Sequence, residues 1–198
     1  MYVAFISAPE NLKKLDRYRE INRNMALGQA NPDESRALAA EGKAIVWIDS
    51  GLHASEVAPA QHSPELAYRM LTDESEETRA IRQNVILMQV PVINPDGLDW
   101  IAHWYRENTG TPYENAPLPW LYQKYAGHDN NRDWFMLNLE ETRNTTRLLF
   151  REWFPHIVYS QRQVPPFPAA FSFRPMRSRS IPTSPRRSWK ASTSSAWR

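Results

Sequence analysis

The stretch that decides the reading of this chain is Trp47-Ile48-Asp49-Ser50-Gly51-Leu52-His53-Ala54-Ser55-Glu56. It begins inside an apolar run, Ala44 to Asp49, with the length and the β-branched and aromatic content of a buried strand. A glycine turn follows, and beyond it the chain delivers a histidine and a glutamate three residues apart. Open α/β sheets place their ligands at the carboxyl ends of strands. There, an imidazole and a carboxylate at this spacing can point at one ion. They would supply two of the three protein ligands of a catalytic zinc with an open position. Spacing alone does not carry the reading, because His62-Ser63-Pro64-Glu65 repeats it inside a helical pattern. The strand and the glycine turn separate the two copies.

Working outward, the other strand candidates are Tyr2 to Ile6, Val85 to Val92 and His156 to Gln161. Helical patterns lie between them: Asn11 to Leu27, Asp33 to Glu41, Glu56 to Leu71 and Asn138 to Phe154. The last puts Leu139, Thr146, Leu149, Phe150 and Trp153 on one face, with Asn138 as its N-cap. Strands separated by helices imply parallel crossovers and a sheet covered on both faces, which is an α/β arrangement. The segment from Leu98 to Asn131 is rich in Trp, Tyr, Pro and Gly and too long for a plain connection, so it is assigned to the binding face. Its aromatics Trp104, Tyr105, Tyr113, Trp120 and Tyr122 read as a packed loop core rather than a ligand cage.

Three further motifs follow in order. Val90-Pro91-Val92-Ile93-Asn94-Pro95-Asp96-Gly97 leaves a strand. Its Asn-Pro-Asp-Gly is first a turn sequence, with proline presetting φ and glycine accepting positive φ, so Asp96 takes a structural role. Then come Trp104-Tyr105-Arg106-Glu107-Asn108-Thr109-Gly110-Thr111-Pro112 and Gly127-His128-Asp129-Asn130-Asn131-Arg132-Asp133-Trp134. Taken alone, Asn131-Arg132-Asp133 reads as a solvated surface loop. In this order, and behind the His53 segment, the set resembles the zinc carboxypeptidase family, the carboxypeptidase A-like metallopeptidases. More narrowly, it resembles the large bacterial members with a Gly-Leu-His-Ala-Ser/Thr-Glu signature. The resemblance runs over roughly residues 1 to 169.

The resemblance implies a mixed, largely parallel sheet flanked by helices, and a zinc cofactor held by His53 and Glu56. It implies that Arg106 polarises the scissile carbonyl and steadies the oxyanion. It further implies that Asn131 and Arg132 grip the carboxy-terminus of a peptide or protein. The side chains suit those roles. A guanidinium pairs bidentately with a carboxylate, a neighbouring amide adds a donor, and a fixed cation suits a developing oxyanion.

The pattern breaks at the third ligand. In the family a later strand ends in a run like Val-Tyr-Asp-x-His-Gln, whose histidine completes the site. The corresponding run here is Ile157-Val158-Tyr159-Ser160-Gln161-Arg162-Gln163. A guanidinium has no lone pair to give and stays protonated, so Arg162 cannot bind zinc, and its charge weakens the site further. His156 is no substitute, because six residues of strand span about 20 Å, and His128 lies in a different loop. The metal site is expected to be incomplete. The family's general base, a glutamate, has no counterpart in this chain, so no base is named.

Beyond Ala169 the composition changes. Residues 170–198 hold seven of the chain's 24 Lys and Arg, eight serines and none of its 22 acids. The bland net charge of +2 therefore hides an acidic body and a basic tail. One sign of charge without apolar periodicity predicts disorder. A basic tail also opens a nucleic-acid reading, which a different explanation displaces. Read one base upstream, the codons allowed for Ala170 to Met176 permit Arg-Ile-Phe-Val-Pro-Pro-Tyr, which resembles the family's continuation. The single tryptophan codon at Trp189, followed by Lys190, forces a glutamate in that frame. The hypothesis is a frameshift near Ala169, from mutation or sequencing error, and Arg162 could share its origin. Genomic DNA in which a one-base correction there restores no long reading frame would sink it.

On this reading residues 1–169 are an incomplete, truncated domain. Met1-Tyr2-Val3 opens directly as a strand, with no charged n-region, apolar h-region or small-residue cleavage site. Relatives are usually exported, so the compartment stays open. No apolar run is long enough to cross a membrane, and the lack of cysteine excludes disulfides and thiolate ligands. Three functions are weighed. The first is zinc-dependent removal of carboxy-terminal residues from peptides, with this chain deficient in it. The second is a non-catalytic fragment that binds a peptide terminus through Arg106, Asn131 and Arg132. The third and weakest is nucleic-acid binding through the tail, which a steep loss of DNA affinity with salt would revive. A related acyl-amino-acid hydrolase sharing His-x-x-Glu is a further alternative, against which the Asn131–Arg132 pair argues.

Overall fold

Four strands form one mixed sheet, in the order β1-β3-β2-β4, in the computed structural model, which describes residues 1–119 and 122–163. They are β1 (Ala4–Ile6), β2 (Ala44–Asp49), β3 (Val85–Val90) and β4 (Ile157–Ser160). β2 pairs in parallel with β3 on one side and β4 on the other, while β1 runs antiparallel to β3 at the edge. All four expected strands form, β2 with the expected bounds and the other three trimmed at their ends. The helices are α1 (Pro9–Leu12), α2 (Leu15–Ala26), α3 (Pro32–Glu41), α4 (Val57–Thr72), α5 (Glu76–Asn84), α6 (Pro95–Asn108) and α7 (Glu140–Arg147). The last runs on into wider π-helical turns at Leu148–Trp153. Among the described residues no helix is long and apolar enough to cross a membrane.

Register explains the core. Ile45, Trp47 and Asp49 stand opposite Ile86, Met88 and Val90, and Tyr18, Ile21, Leu149 and Trp153 close over that face. Trp47, Ile45, Ile86 and Met88 are completely buried, and burial of each such side chain is worth roughly 1.5–3 kcal/mol. On the other face Gln89 donates from Nε2 to the Ser63 carbonyl and to its Oγ, both at 2.7 Å, which seats α4. β2 thus leads into α4 on one face, and the turns at Leu148–Trp153, which lead into β4, lie on the other. The crevice past such strand ends is where open sheets hold ligands.

The expected helix Asn11 to Leu27 is split into α1 and α2 at Lys13 and Lys14, and two further helices differ from the sequence expectation. α5 starts at Ser75, whose Oγ accepts from the Thr78 N–H at 3.3 Å, and it is too polar to show an apolar stripe. α6 starts inside the Asn94-Pro95-Asp96-Gly97 run, so the turn reading is corrected. Asn94 Oδ1 accepts from the Gly97 N–H at 2.9 Å as an N-cap, and Pro95 takes the first helical position, where a missing N–H costs nothing. Gly97 serves close approach rather than positive φ, because a Cβ there would stand 2.8 Å from both the Ala54 Cβ and the Tyr122 carbonyl oxygen. The loop expected from Leu98 is therefore helical as far as Asn108. Of its aromatics, Trp104 is half-buried and donates to the Ala116 carbonyl at 3.1 Å, while Tyr105 and Tyr113 are exposed and so stand outside any packed loop core. Trp120 and the tail at 170–198 lie outside the described residues.

The start of α7 also differs. Asn138 is not its N-cap. Leu139 holds that place without a side-chain cap, and the buried Asp133 substitutes for one. Its carboxylate accepts from the Leu139 N–H at 2.8 Å, the Asn138 N–H at 3.1 Å and the Thr142 hydroxyl. The wider turns after Arg147 shift the phase of the face. Leu149 and Trp153 stay buried, but Phe150 is exposed.

Candidate functional site

Three loops beyond the strand ends are laced together. Ser50 donates its N–H to the Val90 carbonyl at 3.1 Å, Ile93 to Ser50 at 2.9 Å, and Asn94 to Gly51 at 3.0 Å. Gly51 adopts φ +62°, and a Cβ on it would sit 3.1 Å from Val92 Cγ1, so both conformation and space call for glycine. Asn130 Nδ2 donates to the Leu52 carbonyl and Asn94 Nδ2 to the Tyr122 carbonyl, each at 2.8 Å. These ties hold the loop carrying Asp129 to Arg132 beside His53.

His53 is half-buried just past β2. Its Nδ1 faces Glu56 Oε1 at 2.7 Å and its Nε2 faces Asp129 Oδ1 at 3.1 Å. Glu56 stands immediately before α4, and its Oε2 accepts from the Gln163 N–H at 2.9 Å. Gln163 in turn accepts the Ala58 N–H on its Oε1 at 3.0 Å. The structure therefore brings His53 and Glu56 into direct contact. The second copy of the spacing is different. His62 and Glu65 are exposed on α4, and Glu65 pairs with Arg69 at 2.7 Å.

Arg162 leaves the end of β4 and turns into the same cleft, where its Nη2 donates to Asn131 Oδ1 at 3.4 Å. Its Nη1 is shielded from solvent and has no partner among the described residues. Burial pulls this arginine below its ordinary value, the carboxylates of Asp49, Glu56 and Asp129 oppose the shift, and Arg132 adds to it. It stays charged at any usable pH. The Asn131 N–H donates to Asp129 Oδ1 at 2.8 Å. Arg132 is exposed, and its charge is felt at Asp129, Tyr122 and Arg162. Asn131 and Arg132 thus stand with His53 and Glu56. Arg106 does not join them. It is exposed in the last turn of α6, about 13 Å along the axis from Gly97. Among the described residues, no hydrogen bond or ion pair joins it to His53, Glu56, Asn131 or Arg132.

Two members of the cluster were not singled out from sequence. Asp129 is held below the usual carboxylate range. Burial works against this, but the Asn131 N–H, the hydrogen bond and charge of His53, and the Arg132 charge prevail. Its signal is readable in retrospect, since an aspartate that accepts the N–H two residues on is an Asx turn. Tyr122 has its ring 5.9 Å from that of His53, and burial together with Asp129 pushes its phenol up. Nothing distinguishes it by sequence from the other aromatics of its segment. Beside it opens a recess lined by Ala54, Gly97, Ile101, Leu118 and Tyr122.

The zinc carboxypeptidase family model matches residues 1–153. The chain belongs to the zinc carboxypeptidase family. The matched span holds His53, Glu56, Arg106, Asn131 and Arg132, and it stops short of β4 and Arg162. A zinc carboxypeptidase of Simulium vittatum is 29% identical over 94 residues, a stretch covering 48% of this chain and 29% of that protein. The chain thus spans less than a third of the length of this curated relative. No solved structure matches it significantly.

Zinc is the cofactor of the zinc carboxypeptidase family, and the described side chains fit it only in part. His53 Nδ1 and Glu56 Oε1 face each other and could flank one ion, while Asp129 meets the far edge of the ring at Nε2, the place of a carboxylate that orients a ligating histidine. Arg162 brings a cation without a lone pair. Among the described residues, no group of three or more His, Cys, Asp or Glu could hold a metal ion.

Proposed function

We propose that this chain carries a zinc carboxypeptidase-type cleft that keeps its grip on a peptide's carboxy-terminus and is deficient in zinc-dependent hydrolysis. The observation that carries the reading is the place of Arg162, whose guanidinium bonds Asn131 in the cleft shared with His53 and Glu56. A zinc held by two protein ligands is weakly bound and poorly oriented, and ligand geometry is what brings its water towards a neutral pKa. The binding half of the reading rests on Arg132 and Asn131. An exposed guanidinium fork beside an amide pairs well with a terminal carboxylate. The recess along Ile101 and Leu118 has room and apolar lining for a side chain of the same peptide. Arg106, distant along α6, is left out of this grip.

Fluorescence titration with one labelled pentapeptide, as the free acid and as the carboxy-terminal amide, tests the reading. The free acid is expected to bind roughly tenfold more tightly, as charge-assisted hydrogen bonds of 1.5–3 kcal/mol allow. Arg132→Ala should remove the difference. Equal binding of acid and amide by the unaltered chain would refute it.

A further inference from the structure

The groups a metal would need in this cleft already have internal partners. His53 Nδ1 meets Glu56 Oε1, His53 Nε2 meets Asp129 Oδ1, and Glu56 Oε2 accepts from the Gln163 backbone. Asp49, fully enclosed at the end of β2, accepts from Trp47 Nε1 at 2.8 Å and from Ser160 Oγ at 2.7 Å. Asp49 is enclosed and burial pushes its carboxyl above the ordinary range, while Glu56 and Asp129 are 21% and 22% exposed; carboxylates in such places destabilise a fold unless a cation offsets them. Arg162 lies two residues past Ser160, whose pairing with Asp49 sets where the guanidinium emerges. Its shielded Nη1 has no partner among the described residues and is costly to bury, and since no described carboxylate stands within ion-pair distance, what offsets that cost is longer-range attraction to Asp49, Glu56 and Asp129.

We propose that Arg162 is a resident counter-cation, supplying among Glu56, Asp129 and Asp49 the positive charge that a metal would supply, so that the cleft is ordered and binds a peptide carboxylate with no metal present. The second half rests on the terminus-binding reading above, and the first half does not. A fixed internal cation predicts indifference to chelators. It also predicts that removing the charge, rather than the bulk, is what harms the fold.

The test melts the full 198-residue chain with EDTA and with equimolar zinc, beside Arg162→Met, Arg162→Lys and Arg162→His, and titrates each with the free-acid pentapeptide. The melting temperature and peptide affinity of the unaltered chain should not move with EDTA or zinc. Arg162→Met, similar in reach but uncharged, should melt lower by on the order of 5 °C, and Arg162→Lys by about 2 °C or less. Arg162→His should acquire a zinc-dependent rise in melting temperature and bind zinc at least about tenfold more tightly than the unaltered chain. Stabilisation of the unaltered chain by stoichiometric zinc, or equal losses in the lysine and methionine variants, would overturn the proposal. If the melts behave as expected but no variant binds peptide, the terminus reading fails and the counter-cation stands.

Discussion

Incubated with zinc and a peptide carrying a free carboxy-terminus, the purified 198-residue chain is expected to release no terminal amino acid above the zinc-only background. A metal that polarises the carbonyl and generates the attacking hydroxide contributes several kcal/mol to such a reaction. Losing a properly held metal therefore lowers turnover by roughly 10³-fold or more. The described residues offer no compensating nucleophile. His53 has both ring nitrogens engaged with carboxylates, and the chain has no cysteine. Arg162→His alone should improve zinc affinity without bringing measurable turnover, because a third ligand restores binding but does not by itself place a base. Liquid chromatography of the released amino acid checks both expectations. Zinc-dependent release by the unaltered chain, abolished by His53→Ala, would refute the deficiency.

Replacing Asp133 by alanine is expected to destabilise the fold severely. The side chain is completely buried and accepts from the Leu139 and Asn138 N–H groups and the Thr142 hydroxyl. Alanine would orphan all three donors at the start of α7, a loss of roughly 3 kcal/mol, or about 10 °C in melting temperature for a chain of this size. The same carboxyl sets an acid limit. Burial alone would raise its pKa, but its hydrogen bonds and the charge of His128 hold it below the ordinary range, as their partners hold Asp129. A carboxylate lowered in the folded state adds stability above its unfolded value, about 4, and loses it as the pH falls through the lowered folded value. Melting temperature should therefore be level with respect to these two groups above about pH 5 and fall below about pH 4. The fall should be shallower in Asp133→Asn. An Asp133→Ala chain that melts within about 2 °C of the unaltered one would contradict the capping role.

Much of the site was legible because apolar runs and short motifs carry it. β2 and β3 are predominantly apolar runs, and the glycine turn at Gly51 sends His53 and Glu56 to the strand end, as their order suggests. Asn131 and Arg132 reach the same cleft because Asn130 anchors their loop to Leu52, a contact between segments that no local pattern encodes. Arg106 sits in an element the sequence reading took for loop. With Pro95–Asn108 helical, it stands in the last turn of α6, about 13 Å along the axis from Gly97. The misreading had a cause, since Asn-Pro-Asp-Gly serves equally as a turn or as an N-cap with proline at the first helical position. Asp129 and Asp133 were hidden for a related reason. Both act on backbone N–H groups a few residues away, in a segment that reads as solvated loop.

The most direct test of the metal-deficient cleft is anomalous diffraction at the zinc edge from crystals of the 198-residue chain grown with excess zinc and a free-acid peptide. The expected map shows no zinc between His53 and Glu56, Arg162 still turned towards Asn131, and the peptide carboxylate on Arg132. A full-occupancy zinc peak ligated by His53 and Glu56, with Arg162 swung out of the cleft, would contradict it.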